Sequence, residues 1–217
     1  MKTSMRRSIN SNSLVVSLNP KSPISEVYRL LRAKIPFFSK DQDLKTVMVT
    51  SSQPGEGKTT TISNLAVTYA QEGKKVLLVD ADMRKPSLHK MFSMINHRGL
   101  STLLSGHSNI QDSIAETDIS NLYLLPSGPV PSNPSELIDS PGMRELLTQL
   151  KEDYDVILVD TPAMLSVSDS TIVSPLCDGV IIVAAAGKVQ KHNLRKAKEQ
   201  LDHVNARLLG IVLNRAQ

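Results

Sequence analysis

A chain of 217 residues, 40% hydrophobic and 21% charged, has the composition of an ordinary soluble globular protein and enough length to bury a sizeable core, which excludes disorder throughout. No apolar run approaches the ~20 residues that cross a bilayer, the N-terminal charges precede no apolar block of the secretory kind, and the single cysteine, Cys177, fits a reducing cytoplasm. A net charge of +4, no tryptophan and only 3% aromatic residues argue against a nucleic-acid partner, and no Cys/His cluster has zinc spacing.

Residues 1–20 are rich in Ser, Asn, Lys and Arg without periodicity and read as a mobile arm or a strand-like extension; residues 21–217 read as one domain. Pro20 and Pro23 mark the join. Ser25 is expected to cap a helix over 22–38, with Val27, Leu30, Leu31, Ile35 and Phe38 on one apolar face. Six strand-like runs follow, at 46–50, 75–80, 122–126, 156–160, 180–185 and 208–213. All but the run at 122 are nearly continuous in Val and Ile, as suits strands buried on both faces of a parallel sheet. Helices are expected at 59–71, 135–150 and 190–204, and a stiff loop carries Pro126, Pro129, Pro131, Pro134 and Pro141. This alternation predicts an α/β fold with a doubly wound, mostly parallel sheet flanked by helices.

The strongest motif is Ser52-Gln53-Pro54-Gly55-Glu56-Gly57-Lys58-Thr59, between an expected strand and an expected helix. That is the context of a P-loop, whose backbone N–H groups and helix N-terminus cradle phosphate. Gly55, Glu56, Gly57, Lys58, Thr59 and Thr60 are the nucleotide-binding candidates, with Lys58 on the β- and γ-phosphates of ATP and the Thr59 hydroxyl on Mg²⁺. Ser52 departs from the usual first glycine. Two further runs end in acids: Leu77-Leu78-Val79-Asp80-Ala81-Asp82, where i, i+2 spacing on a strand would bring both carboxylates together, and Val156-Ile157-Leu158-Val159-Asp160, the Walker B pattern. Each acid alone is as readily a turn former as a ligand.

These three segments, the second continuing through Met83-Arg84-Lys85-Pro86, resemble the Walker A, A′ and B motifs of bacterial tyrosine kinases, the cytoplasmic kinases of capsule and exopolysaccharide clusters. The resemblance runs over roughly 22–216 and includes the proline-rich loop Leu125-Pro126-Ser127-Gly128-Pro129-Val130-Pro131-Ser132-Asn133-Pro134-Ser135-Glu136-Leu137. It implies a P-loop kinase transferring the γ-phosphoryl group of ATP to tyrosine, with Asp80 accepting the hydroxyl proton and Asp82 and Asp160 holding Mg²⁺ with Thr59. Residues alone leave open which of Asp80 and Asp82 lies nearer the nucleophile. Asn214 is carried over as an adenine contact. Glu26, Arg29 and Arg32 match the family's E-x-x-R-x-x-R oligomerisation helix and imply a head-to-tail homo-oligomeric ring; intrahelical Glu–Arg pairing is the plain alternative. Arg84 and Lys85 are either contacts for phosphate or an acidic substrate, or a solvated turn.

The family's tyrosine-crowded tail is not among these residues, whose four tyrosines, 28, 69, 123 and 154, are scattered. Other proteins or isolated tyrosines are then the expected substrates. The split form of the family implies a separate transmembrane activator whose cytoplasmic tail completes the nucleotide site and recruits the kinase to the inner face of the membrane. Two other readings are a partition or division-site switch ATPase, against which Gln53 stands where those proteins carry a second lysine, and a nucleotide-holding assembly module with little catalysis. The cationic face of the helix at 190–204 reads as a solvated surface rather than a lipid contact.

Overall fold

Short Val- and Ile-rich runs separated by helices become a seven-stranded sheet in the computed structural model, which describes residues 14–38 and 44–215. Its strands are β1 (Thr46–Ser51), β2 (Val76–Asp80), β3 (Ala115–Glu116), β4 (Leu122–Leu125), β5 (Val156–Asp160), β6 (Gly179–Ala185) and β7 (Leu208–Asn214). The order across the sheet is β3-β4-β2-β5-β1-β6-β7, parallel except for β3, which pairs antiparallel to β4. From β1 the chain moves outward to β2 and β4, returns to insert β5 between β1 and β2, then continues to β6 on the far side of β1. The winding reverses at β1, so the crevice at the C-terminal ends of β1, β5 and β2 is where such a sheet binds ligands.

Period-two alternation divides the strands between two cores. Met48, Val79, Ile157, Val159 and Ile182 pack with α8 (Pro141–Asp153) and α10 (Lys191–His203). Val47, Val49, Leu78, Leu158 and Val183 pack with α3 (Lys58–Gln71). Every residue of α3 from Thr61 to Ala70 is buried, because α1 (Val15–Leu18) and α2 (Pro23–Lys34) cover the face that the sheet does not.

Several expectations change here. Part of the arm expected over 1–20 lies outside the described residues; within it α1 forms over Val15–Leu18 in place of a strand-like extension. Leu14 and Val16 are wholly buried, and the Val16 N–H donates to Asn64 Oδ1 at 3.0 Å, so the short apolar run inside a polar stretch is enough to anchor α1. Ser22, not Ser25, caps α2. Its Oγ accepts from Ser25 N at 3.1 Å, while buried Ser25 donates its own hydroxyl to the Asn19 carbonyl at 2.7 Å. The expected apolar face of this helix is only half used: Leu31 and Tyr28 pack inward, but Val27 is 63% and Leu30 54% exposed. The helix ends at Lys34, with a 3₁₀ turn over Ile35–Phe38.

The helix expected over 135–150 is two helices, α7 (Pro134–Ile138) and α8. Pro141 starts α8 and drives Ser140 out of the helical region, to φ −67° and ψ 151°. Four further short helices, α4 (Leu88–Met91), α5 (Leu100–Leu104), α6 (Ile110–Ser113) and α9 (Asp169–Val173), fall in segments without periodicity long enough to read. No helix among the described residues is long and apolar enough to cross a membrane.

The Val16–Asn64 contact yields a prediction. Replacing Asn64 by Ala strands a buried N–H and should cost about 1–3 kcal/mol. Urea unfolding should show a lower midpoint, and limited proteolysis should cut within 14–20 before the sheet opens.

Candidate active site

β1 runs into the loop 52–57, and Gly57, at φ 99°, turns the chain into α3 at Lys58. That left-handed backbone disfavours any side chain at Gly57, and a Cβ there would lie 2.0 Å from Asn214 Nδ2 and force Asn214 off the loop. Asn214, at the end of β7, instead donates to the Glu56 carbonyl at 3.0 Å, so the last strand holds the loop. Glu56 is buried, with its Oε2 accepting from Ser52 Oγ at 3.0 Å and from Gln53 N at 2.9 Å. The departure at the first loop position thus has a cause: Ser52 supplies a hydroxyl that a glycine lacks, and Glu56 uses it to close the loop on itself.

The acids come from the neighbouring strands. Asp160 ends β5, wholly buried, and its Oδ2 accepts from Thr59 Oγ1 at 2.6 Å. Asp80 ends β2 opposite Asp160 in the parallel register, also wholly buried. Its Oδ2 accepts from Ser87 N and Leu88 N, both at 3.0 Å, and its Oδ1 from Asp82 N at 3.2 Å. The strand ends at Asp80, so Asp82 is not placed by strand alternation. It lies in the following turn, half-buried, with Oδ1 accepting from Lys85 N at 3.0 Å. Asp80 and Asp82 therefore both do the work of turn formers, and the Lys58 ammonium, which lowers the pKa of Asp82 and of Asp160, places those two carboxylates within reach of the loop.

The electrostatics are strained in one direction. Burial pushes the Asp80 carboxyl up to about 8, helped by the Asp160 charge and opposed by the Leu88 and Ser87 amides. Burial also raises Asp160, to about 7, against Lys58 and the Thr59 hydroxyl. Asp82 is raised by burial, with the Lys85 amide and Lys58 opposing.

Asp160 Oδ1 is buried without a hydrogen-bond partner among the described residues. A buried carboxylate oxygen left bare beside a hydroxyl and a lysine suits a cation. Among the described residues no three His, Cys, Asp or Glu side chains are grouped to hold a metal unaided. The donor set, one or two carboxylates and a hydroxyl beside an anion-binding loop, suits Mg²⁺, which takes its remaining ligands from phosphates and water.

Lys58, Thr59, Asp80, Asp82, Asp160 and Asn214 are thus brought to one crevice. Arg84 lies in an exposed turn but its guanidinium is paired. Its Nε and Nη2 both reach the buried carboxylate of Asp169, at 2.9 and 3.1 Å. Asp169 is a residue that motif reading missed, because a lone acid in a Ser-rich segment carries no pattern. The other candidates stand apart, on α2. Arg29 pairs with Glu26 and donates to the Pro20 carbonyl at 2.7 Å. Arg32 turns inward to the Thr68 carbonyl at 2.7 Å and to Glu72 at 3.3 Å.

Residues 44–209 match the family model of an AAA domain. The chain is 43% identical over 209 residues to the tyrosine-protein kinase YwqD of Bacillus subtilis, covering 96% of this chain and 88% of that one. It superposes on the kinase domain of the Escherichia coli tyrosine kinase ETK with a TM-score of 0.90 at 32% identity, over 100% of this chain and 87% of that one. A septum site-determining protein MinD from Pyrococcus horikoshii, solved with Mg-ADP, is similar at a lower TM-score of 0.69 and 29% identity, over 79% and 70% of the two chains. The P-loop closed by its own Glu56, the acids at the end of β2 and in the turn after it, and the near-complete coverage of the two tyrosine-kinase likenesses lead to one assignment: the chain belongs to the bacterial tyrosine-kinase family of P-loop proteins.

Proposed function

We propose that this protein is an ATP- and Mg²⁺-dependent protein-tyrosine kinase serving capsule or exopolysaccharide biosynthesis. The observation that carries the reading is the convergence of a lysine-tipped phosphate loop with three acids, one of which keeps a bare buried oxygen beside the Thr59 hydroxyl. The loop amides and Lys58 bind the β- and γ-phosphates of ATP. Thr59 and Asp160, with Asp82, are the residues that would hold Mg²⁺, whose part when bound is to neutralise phosphate charge. Asn214 borders the loop on the side of β7 and serves the adenine. Transfer forms a bond from the tyrosine oxygen to the γ-phosphorus and breaks the bond to the β,γ-bridging oxygen. The hydroxyl proton passes to the Asp80–Asp82 pair. Asp82 is the reachable member in this conformation, whereas Asp80 is wholly buried and holds the turn at Ser87 and Leu88.

The partner readings have their own support. Exposed Ile24, Val27, Leu30, Ile211 and Leu213 border a groove between α2 and β7 that reaches Asn214. An apolar segment of a membrane activator's cytoplasmic tail fits that groove and would meet the nucleotide site from its open end. It would also bring the kinase to the inner face of the membrane. Glu26 and Arg29, paired on the outer face of α2, are available to exchange partners with a second copy in a ring.

Purified protein with γ-labelled ATP, Mg²⁺ and a tyrosine-rich peptide tests the activity. Label should appear on tyrosine and fall by about 10²- to 10³-fold in Lys58→Met, with far-ultraviolet circular dichroism unchanged. Free phosphate released without labelled tyrosine would instead favour a switch ATPase.

The buried acids predict a pH dependence. Asp80 and Asp160, at about 8 and about 7, lie above the ~4 of the unfolded chain. The folded state therefore holds more protons, so their contribution is fully present below ~4 and is lost as pH rises through ~7–8. Without nucleotide, the melting temperature should fall between about pH 6 and about pH 8, and Asp80→Asn should flatten that slope. Mg²⁺ with a nucleotide should restore more at the higher pH, because its ligands must give up protons. Equal slopes for the two proteins would remove the account.

A further inference from the structure

Asp169 belongs to none of the motifs that mark the site, yet its carboxylate is wholly buried and fully engaged. Arg84 grips it with two N–H donors, Nε to Oδ2 at 2.9 Å and Nη2 to Oδ1 at 3.1 Å. Ser135 Oγ donates to Oδ1 at 2.8 Å, and Arg84 Nη2 also donates to Ser135 Oγ at 2.8 Å, which closes a three-residue ring. The three residues come from three different connections at the C-terminal edge of the sheet. Arg84 lies in the turn after β2, two residues beyond Asp82; Ser135 is in α7, at the exit of the proline-rich loop; Asp169 begins α9, after β5.

The neighbouring contacts make this ring a joint. The seat of Asp169 is fixed from behind, since the next residue, Ser170, donates to the Pro162 carbonyl at 2.6 Å. The proline-rich loop is already held at its other end: Asn96 both donates to the Gly128 carbonyl and accepts from its N–H, each at 2.8 Å, and Ser101 Oγ donates to the Pro129 carbonyl at 2.7 Å. Between the two anchors Val130 stands 60% exposed at the rim. The turn carrying Asp82 is held at its ends, where the Ala81 N–H donates to the Asp160 carbonyl at 2.8 Å and the Ser87 and Leu88 amides donate to Asp80, whereas the Asp82 side chain itself is held by the local contact with the Lys85 N–H. A buried carboxylate that loses its guanidinium is strongly unfavourable, so Arg84 cannot swing out without cost. A bidentate pair also fixes direction, where a lysine would fix only distance.

We propose that Asp169 is a positioning residue for phosphoryl transfer: through Arg84 and Ser135 it locks the turn carrying Asp82 to the proline-rich loop, and so sets where the acceptor hydroxyl meets the carboxylate. Its effect on rate rests on the kinase reading above; the lock itself does not. Arg84 is spent on this joint rather than on substrate charge.

The test pairs a structural and a kinetic readout on the full chain. Hydrogen–deuterium exchange of the protein without nucleotide should show amides of 81–88 and 129–137 exchanging at least about 10-fold faster in Asp169→Asn, with β1 and β5 unchanged. In the transfer assay kcat should fall by about 10- to 100-fold, while affinity for ATP stays within about 3-fold of wild type. Combining Asp169→Asn with Arg84→Ala should be no worse than the worse single variant, because both break one joint. Ser135→Ala and Arg84→Lys should show smaller changes in the same direction, and they carry the test should Asp169→Asn fail to fold. Unchanged exchange in both segments, additive losses in the double variant, or ATP affinity falling in step with kcat would overturn the proposal. If the two segments loosen but wild type labels no tyrosine, the joint stands and the kinase reading fails.

Discussion

Two wholly buried carboxylates, Asp80 and Asp160, face each other across adjacent central strands, and the rest of the site is arranged around that unfavourable meeting. Carboxylates in such a place must be neutralised, hydrogen-bonded or paired. Asp80 is met by two backbone amides from the start of α4, which gives the turn after β2 its shape. Asp160 is met by the Thr59 hydroxyl and by the Lys58 charge at the opening of α3, which draws the phosphate loop toward β5. The negative charge is thus incompletely answered from within the chain. The same deficit that raises both carboxyls makes the crevice receptive to a cation and poorly suited to remain without one.

The phosphate loop needs a rigid floor, and the N-terminal segment supplies it. α3 begins with Lys58 and Thr59, and any wobble of that helix moves both. The sheet fixes one side; α1 and α2 fix the other through Asn64, which takes the Val16 N–H, and through Arg32, which reaches the Thr68 carbonyl and Glu72. Arg32 therefore has a structural task within the chain, separate from any contact between copies. Its partner Arg29 is on the outer side, paired with Glu26. Arg29 and Arg32 therefore differ in what a substitution would break within the chain.

The sheet and the phosphate loop were legible because each rests on a local pattern: continuous Val and Ile for strands buried on both faces, and Gly-x-Gly-Lys-Thr between a strand and a helix. The strand order was not, since nothing local tells β5 to insert between β1 and β2. The ends of elements failed where one residue decides. Pro141 splits a helix that periodicity alone would continue, and Ser22 takes the cap because Pro23 holds it extended. Leu14 and Val16 were lost in a polar stretch because an apolar run of five residues, 14–18, broken by Ser17, is too short to show a period. Within the site, Lys58, Thr59 and Asp160 are fixed by the loop and the strand ends. Asp82 reached the crevice by a turn rather than by the strand alternation expected of it. Asp169 left no trace, because its meaning exists only when three connections meet.

The site also illustrates how a parallel sheet turns chain order into precision. Each residue at the crevice enters on a separate crossover: Lys58 after β1, Asp82 after β2, Asp160 at the end of β5, and Asn214 at the end of β7. A side chain moved by one crossover is not corrected by its neighbours, so groups that must act together need direct ties across the connections. Three of the ties among the described residues are instructive. Asn214 joins β7 to the Glu56 carbonyl, Thr59 joins α3 to Asp160, and Asp169 joins Arg84 to Ser135. The first two link strand ends to the phosphate loop, where the backbone itself is held by the sheet. The third links two connections that lie beyond the strand ends, and it alone of the three uses a bidentate ion pair around a buried carboxylate, the most directional contact available to side chains. A bidentate tie between the turn after β2 and the exit of the proline-rich loop follows if the distance between the acid pair and that loop is the quantity the fold must keep.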